Sequence, residues 1–286
     1  WKPPVCTVSA SPKSHVSSKA KPMTLPTLFV PHGAPTFALR PGAAGAALVT
    51  MAQELERPKA ILVVSPHWET REPTVGSATD LETIYDFGGF PDELYTLKYP
   101  AHGDAQLAQL VAQRLHDAGY AARIDTHRGL DHGAWVPLRM MYPAADIPVI
   151  PLSIKPYAGA AYHYALGQAL APLADEGFLI IGTGSMTHNL RDYMMCAQMN
   201  APTPDYVRHF ADWVDTQLVQ KNLQSLLDYR QTAPDATRAH PSEDHFMPFF
   251  VALGAAGAKA KAERFFAGVD DYVIAMDGYR FEQAVQ

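Results

Sequence analysis

The chain has 286 residues, a net charge of −6 and a hydrophobic content of 48%. This length predicts one or two domains, and the apolar content is sufficient for a sizeable core. No block of basic residues occurs, and no apolar run reaches the ~18 residues of a membrane helix. The sequence therefore argues against nucleic acid and membranes as partners, and it favours a small molecule.

The two cysteines and the N-terminal segment bear on compartment and domain organisation. Cys6 and Cys196 are far apart, and neither belongs to a CxxC pair. This predicts neither a disulfide framework nor a thiolate zinc site, and it favours a reducing cytoplasm. Residues 1–25 are rich in Ser, Lys, Ala and Val without the apolar region of a secretory signal, which predicts a disordered tail.

From residue 26 onward, short apolar runs alternate with stretches of helical spacing. Strands are predicted at about 27–31, 59–65, 121–125, 147–154, 178–183 and 271–276. Helices are predicted at 44–56, 105–118, 134–142, 158–175, 203–227 and 246–256. Pro148 and Pro151 push the fourth strand toward an edge or irregular pairing. The alternation predicts one α/β domain over 26–286, with a central, mostly parallel or mixed sheet flanked by helices.

Three of the apolar runs lead through a Pro, Gly or Ser turn to a histidine. The sequences are LFVPHG at 28–33, ILVVSPHW at 61–68 and LIIGTGSMTH at 179–188, which contain His32, His67 and His188. Ligands of α/β sheets bind outside the carboxyl ends of the strands, and neutral imidazole is the commonest metal ligand. The pattern predicts a metal-dependent active site at this edge of the sheet.

The residue types around this edge narrow the chemistry. His132 and His245 also lie in local sequences that packing alone does not explain. Imidazoles combined with a carboxylate suit Fe(II) or Zn(II), and an open facial set is typical of non-haem iron that activates oxygen. A closed structural zinc site is disfavoured because the strand-end histidines are far apart in sequence. Phosphate-binding glycine motifs and a G-x-S-x-G nucleophile turn are not matched.

Six short segments carry a resemblance to a known family. They are VPHGAP at 30–35, VSPHW at 64–68, YDFGGFP at 85–91, DHGAW at 131–135, GSMTHNL at 184–190 and EDHFMP at 243–248. Together they resemble the class III extradiol ring-cleaving dioxygenases, and within that class the branch that contains 4,5-DOPA dioxygenase. The resemblance extends from about residue 26 to 276.

The resemblance implies a role for each of five histidines. His32 and His67 would bind the metal, and His245 would supply the third ligand, with the nearby Glu243 as the alternative. His188 would be the base beside the metal, or an additional ligand. His132 would face the substrate, and either of these last two would act as the acid.

The same resemblance implies an aromatic wall for a flat substrate ring, formed by Trp68, Phe87, Phe90 and Trp135. Phe87 and Phe90 belong to an irregular stretch at about 69–103, and loops of that length are often functional. The activity implied is Fe(II)-dependent opening of a catechol ring by O2 to a muconate semialdehyde-type product.

Two other functions are compatible with the same residues. A zinc hydrolase could use the same histidines to lower the pKa of a bound water. A non-catalytic metal- or small-molecule-binding protein is the second alternative. Zn(II) is also expected where it displaces iron during purification, and the chain is expected to be a monomer or a small homo-oligomer.

Overall fold

A computed structural model describes residues 24–283 of the chain. The prediction for the tail, residues 1–25, therefore lies almost wholly outside the described residues. Leu25 is 2% exposed, and its backbone N–H donates to the carbonyl of Ala174. The described chain is thus part of the packed core from its second residue.

The secondary structure alternates strands and helices as the sequence predicts. The strands are β1 Thr27–Pro31, β2 Ala60–Glu69, β3 Thr74–Gly76, β4 Arg123–Asp125, β5 Val149–Ile154, β6 Phe178–Gly184, β7 Lys261–Phe266, β8 Val269–Asp270, β9 Ile274–Ala275 and β10 Gly278–Glu282. The longer helices are α1 Gly42–Glu54, α2 Ala105–Asp117, α3 His132–Met141, α4 Gly159–Leu170, α6 Leu190–Met199, α7 Asp205–Val219 and α11 Met247–Ala256. Short helices are α5 Pro172–Asp175, α8 Leu223–Leu227, α9 Tyr229–Thr232 and α10 Ala236–Ala239, and 3₁₀ turns span Pro35–Ala38, Asp92–Thr96 and Asp244–Phe246.

The predicted fold class is confirmed: a single α/β domain is built on a mixed eight-stranded sheet. The strand order is β4-β3-β5-β2-β6-β1-β10-β7, and the four central strands β5, β2, β6 and β1 are parallel. β10 runs antiparallel to β1, and β7 runs antiparallel to β10. Since the central strands are parallel, their carboxyl ends meet at one edge of the sheet.

The core consists of central strands covered by apolar helices. Every residue of β1, β5 and β6 is buried, as expected for parallel strands with both faces covered. All ten residues of α11 are buried as well, because this helix packs against β6 and β1 on one side and α4 on the other. The sheet edge that carries the histidines is therefore held on a rigid framework.

Of the two outcomes expected for β5, an edge position or irregular pairing, the second is found, because β5 lies between β3 and β2. Its pairing with β3 is irregular, as the prolines suggest, and consists of the single pair Val75 and Leu152. Pro151 pairs in register with Val63 of β2. A proline is tolerated in β5 because β3 and β5 form almost no ladder hydrogen bonds with each other.

The predicted last strand at 271–276 is largely wrong. Asp271 and Tyr272 have positive φ angles of 46° and 64°, so they form a turn. Only β9 follows, and it pairs with β8 in a separate two-stranded sheet. The strands that complete the main sheet, β7 and β10, were not predicted, nor was helix α6. Among the described residues, none of the helices combines the length and apolar character needed to cross a membrane.

One buried histidine away from the site makes a testable contribution to stability. His163 of α4 is fully buried, and burial lowers its pKa to about 4 although the carbonyl of Gly159 favours the charged form. Between pH 6.5 and 4 the unfolded chain binds a proton that the native chain does not, so stability falls as the pH falls through this window. The shift corresponds to about 3 kcal/mol. We expect His163→Gln to flatten the loss of unfolding free energy over this range in urea titrations; an unchanged slope would contradict the assignment.

Candidate active site

Three histidines from separate parts of the chain meet at the carboxyl edge of the sheet. His32 follows β1 directly, and His67 lies near the end of β2, beyond the last residue that pairs with β6. His245 belongs to the 3₁₀ turn that precedes α11. One ring nitrogen from each lies within 4.8 Å of the others, so the three can ligate one ion.

The nitrogen positions fit a metal of the kind that prefers imidazole. The Nε2 atoms of His32 and His67 are 3.2 Å apart. Two nitrogens that each lie about 2.1 Å from a shared ion are about 3.0–3.4 Å apart at ordinary coordination angles. Three neutral imidazoles without a thiolate suit borderline ions such as Fe(II) or Zn(II).

Carboxylates behind two of these rings support the same interpretation. Nδ1 of His245 lies 2.5 Å from Oδ2 of Asp244, and Nδ1 of His67 lies 3.5 Å from Oδ2 of Asp86. Metal-ligating histidines commonly donate the proton of their second nitrogen to a carboxylate, which orients the ring. The arrangement leaves the Nε2 atoms of both rings available to an ion.

Glu243 does not join the cluster, although the sequence left it as an alternative ligand. Its carboxylate accepts a hydrogen bond of 2.9 Å from the hydroxyl of Tyr229 and lies 4.0 Å from the guanidinium of Arg230. The turn that carries Glu243 and His245 therefore sends the two side chains to different surroundings. Among the described residues, His245 is the one that completes the histidine triad.

Gly184 lies where the segments that carry His32 and His245 meet. Its carbonyl accepts the N–H of His32, and the N–H of the next residue, Ser185, donates to the carbonyl of His245 at 3.2 Å. A Cβ at Gly184 would lie 2.2 Å from that same His245 oxygen and 2.9 Å from the ring of Phe29. Only glycine permits the turn of His245 to approach the sheet this closely.

Gly184→Ala is accordingly expected to weaken metal binding and destabilise the fold. The displaced backbone of His245 would carry its ring away from His32, and overpacking of this kind costs about 1–3 kcal/mol. Metal retained after dialysis and urea unfolding measure the two effects. Gly88→Ala is the matched control because its new Cβ meets no atom within 4 Å. Equal metal retention by both variants would contradict the role of Gly184.

His188 lies directly against the triad rather than within it. Its ring stacks on that of His245, with centroids 3.5 Å apart and planes inclined by 5°. The N–H of His188 donates to the carbonyl of Ala239, and the preceding Thr187 is tied to Val273 and Ala275 of the β8–β9 turn. The segment after β6 therefore holds this imidazole in one place.

His132 approaches from the opposite side, at the first position of α3. Its ring centroid is 4.1 Å from that of His67 and 5.4 Å from that of His32. Asp131 caps the helix by accepting from the N–H of Ala134. Asp86 receives both the backbone N–H and Nδ1 of His132, each at 2.9 Å.

Asp131 also anchors the segment behind His67. Its carboxylate accepts from the hydroxyl of Ser65 at 2.5 Å and from the guanidinium of Arg128 at 2.6 Å. The same Arg128 donates to the carbonyl of His67, and Ser65 accepts from the N–H of His67. This buried network fixes the backbone on which one member of the triad stands.

Burial keeps the clustered imidazoles neutral. It lowers the pKa of His32 and His245 well below the ordinary value, and repulsion from the neighbouring imidazoles acts in the same direction. Burial and the neighbouring His132 lower the pKa of His67 to about 4 against the opposing pull of nearby carboxylates, and burial lowers that of His188 to about 4. Neutral imidazoles are the form that binds metals and accepts protons.

Two of the four aromatic residues predicted to face a substrate lie beside the histidines. Phe87 packs edge-on against His132 at 5.6 Å, and Phe90 packs against Phe87 at 5.5 Å; both side chains are partly exposed. Trp68 is 8% exposed and lies under the guanidinium of Arg128. The expectation for Trp135 is corrected: it is fully buried, and its Nε1 donates to the carbonyl of Ile84, so it supports the loop from behind.

Asp86 has no role predicted from the sequence, although it contacts two of the five histidines. A signal was present, since Asp86 is the one acidic residue within the aromatic segment at 85–91. Its importance follows from the tertiary structure, which brings the loop against the start of α3.

The chain is similar to several known proteins. The family model described as the catalytic LigB subunit of aromatic ring-opening dioxygenase matches residues 45–275. A 4,5-DOPA dioxygenase extradiol of Beta vulgaris is 42% identical over 259 residues, which cover 89% of this chain and 96% of the relative. The 4,5-DOPA dioxygenase extradiol of Escherichia coli strain K12 is 37% identical over 81% of this chain and 85% of its own length.

A solved structure shows the same fold. The crystal structure of an uncharacterized protein from Escherichia coli K12 superposes with a TM-score of 0.72 at 29% identity, covering 90% of this chain and 99% of that one. The chain therefore belongs to the family of the catalytic LigB subunit of aromatic ring-opening dioxygenases. Within it, the protein is an extradiol ring-cleaving dioxygenase, and three of its histidines lie close enough to hold one metal ion.

Proposed function

We propose that the protein is a non-haem Fe(II)-dependent dioxygenase that opens the ring of a DOPA-like or other substituted catechol with O2. The product would be a muconate semialdehyde-type compound that contains both oxygen atoms, so that no external reductant is required. The observation that carries this proposal is the triad of His32, His67 and His245 with two further histidines beside it. The three imidazoles would hold the ion, which when bound would supply a centre where catechol and O2 meet and exchange electron density.

The two additional histidines suit the proton transfers of this reaction. A catechol gives up hydroxyl protons when it chelates a metal, and a nearby neutral histidine is an efficient acceptor. His188 is neutral at physiological pH because burial lowers its pKa to about 4. His132 packs against His67 and His32, where its Nε2 would take up a hydroxyl proton and return it to a substrate oxygen later in the cycle. Either histidine could take each role.

The substrate class rests on the loop and on the relatives. Phe87 presents a partly exposed ring next to His132, and the partly exposed ring of Phe90 packs on Phe87, which suits a flat aromatic ligand. The relatives from Beta vulgaris and Escherichia coli carry names that specify DOPA. A catechol with a small polar substituent is the corresponding proposal for this chain.

The test is oxygen consumption by the protein reconstituted anaerobically with Fe(II). We expect L-DOPA or caffeate to consume one O2 per ring and to give a yellow semialdehyde, and ¹⁸O2 to label the product with two heavy atoms. If no catechol in a broad panel consumes oxygen, the proposal is wrong. The zinc hydrolase considered from the sequence predicts no oxygen uptake with Fe(II) and hydrolysis with Zn(II), so the same preparation separates the two.

A further inference from the structure

We propose that Asp86 is a positioning residue that sets the tautomer of His132, and secondarily that of His67, so that the Nε2 atoms of both rings face the reaction centre. The inference deepens the proposed function and rests on it for its kinetic consequence. One loop carboxylate would orient two imidazoles, one at the start of α3 and one near the end of β2.

The geometry gives this carboxylate three contacts on two histidines. Oδ1 accepts the backbone N–H of His132 at 2.9 Å, and Oδ2 lies 2.9 Å from Nδ1 of the same residue. The same Oδ2 lies 3.5 Å from Nδ1 of His67. The side chain of Asp86 is 21% exposed and that of His132 is 8% exposed, so water has limited access to these contacts.

The chemistry of the contact selects one tautomer. A neutral imidazole carries a proton on one nitrogen only, and an ionised carboxylate can only accept hydrogen bonds. A carboxyl group ordinarily ionises well below neutral pH, and both oxygens of Asp86 face nitrogen atoms of His132. The carboxylate is therefore ionised, and the favoured proton position on His132 is Nδ1. Its Nε2 is then left with a free lone pair.

The loop that carries Asp86 is fastened to the segment that carries His132. The N–H of Ile84 donates to the carbonyl of Leu130, and Thr83 forms a bridge with the same residue. Trp135 of α3 donates to the carbonyl of Ile84. These contacts fix the backbone of the loop relative to the first turn of α3. They therefore hold the carboxylate of Asp86 within hydrogen-bonding distance of His132.

The distances from Asp86 to His132 and to His67 indicate which histidine would be affected more by removing the carboxylate. The contact with His132 is the shorter one, whereas His67 is additionally fixed through its backbone by Arg128 and Ser65. Loss of the carboxylate should therefore impair the orientation of His132 more than metal binding. A carboxylate that merely filled space on the loop would influence neither the proton position nor the turnover.

Asp86→Asn is the sharpest test because it preserves shape and replaces the acceptor at Nδ1 with a competing donor. At saturating Fe(II) we expect kcat to fall by about 10²–10⁴-fold, the range for loss of a positioned acid or base. KM for the catechol should change less than threefold, and Fe(II) affinity by about tenfold, the lower end for a carboxylate behind a ligand. Asp92→Asn, an exposed carboxylate elsewhere on the same loop, is the matched control and should retain wild-type kinetics.

A readout independent of turnover is ¹⁵N NMR of the histidine rings in metal-free protein, with His132→Gln used to assign the signals. We expect wild-type His132 to carry its proton on Nδ1, and Asp86→Asn to transfer it to Nε2. A wild-type Nε2–H signal, an unchanged signal in the variant, or a kcat within threefold of wild type would each overturn the inference. If wild-type protein shows the expected tautomer but opens no catechol ring, the proposed function fails while the positioning role stands.

Discussion

His245→Ala is expected to reduce Fe(II) affinity by more than about 100-fold, exceeding the effect of losing a carboxylate behind a ligand, and to abolish ring cleavage. Its Nδ1 is already engaged by Asp244, so the remaining nitrogen is the one available to the ion. Glu243→Gln is expected to retain both metal and activity. Its carboxylate is occupied by Tyr229 and Arg230, and losing these contacts should cost about 1 kcal/mol of stability.

This pair of variants separates the two candidate ligands that the sequence left open. Fe(II) titration of the metal-free proteins measures affinity, and oxygen uptake with a catechol measures turnover. The opposite outcome, with metal lost in Glu243→Gln and retained in His245→Ala, would assign the third position to the carboxylate and refute the histidine triad.

His188→Gln is expected to lower kcat by about 10²–10⁴-fold while the iron content stays at the wild-type level. The imidazole is neutral and stacks on His245, which places it beside the triad rather than among the three converging nitrogens. His209→Gln, at an exposed position of α7, is the matched control for the loss of one histidine.

Single-turnover measurements with anaerobically bound catechol identify the affected step. Slow formation of the deprotonated catechol, seen in its ultraviolet absorption, would accompany the loss of a base. A parallel fall in Fe(II) affinity and kcat would instead make His188 a metal ligand and contradict the proton-transfer role.

The location of the site was predictable because it follows from local sequence. His32 and His67 lie at the ends of apolar strands. The carboxyl ends of parallel strands lie at one edge of the sheet, independently of the loops that connect them. His245 could be proposed only through resemblance to a family, since the turn before α11 has no signal that points toward the sheet.

Contacts set by tertiary structure were not predictable. Asp86 reaches His132 because residues 83 and 84 run beside Leu130, an association between distant segments that periodicity does not encode. Tryptophan is common in sites that bind aromatic ligands, but the close packing of α3 on the loop buries Trp135 completely. β5 has the irregular pairing rather than the edge position, because its pairing with β3 is limited to the one pair Val75 and Leu152.

The position of β1 in the sheet determines when the site can form during synthesis. Its two neighbours, β6 and β10, are made from the second half and the very end of the described chain. His32 is among the first described residues to be translated, yet the strand before it remains unpaired until its distant partners emerge. His245 likewise follows late, so the emerging polypeptide has no complete set of metal ligands until most of it is made. Metal binding by this triad would therefore follow completion of the fold. Trimming the last strand would expose one long side of β1.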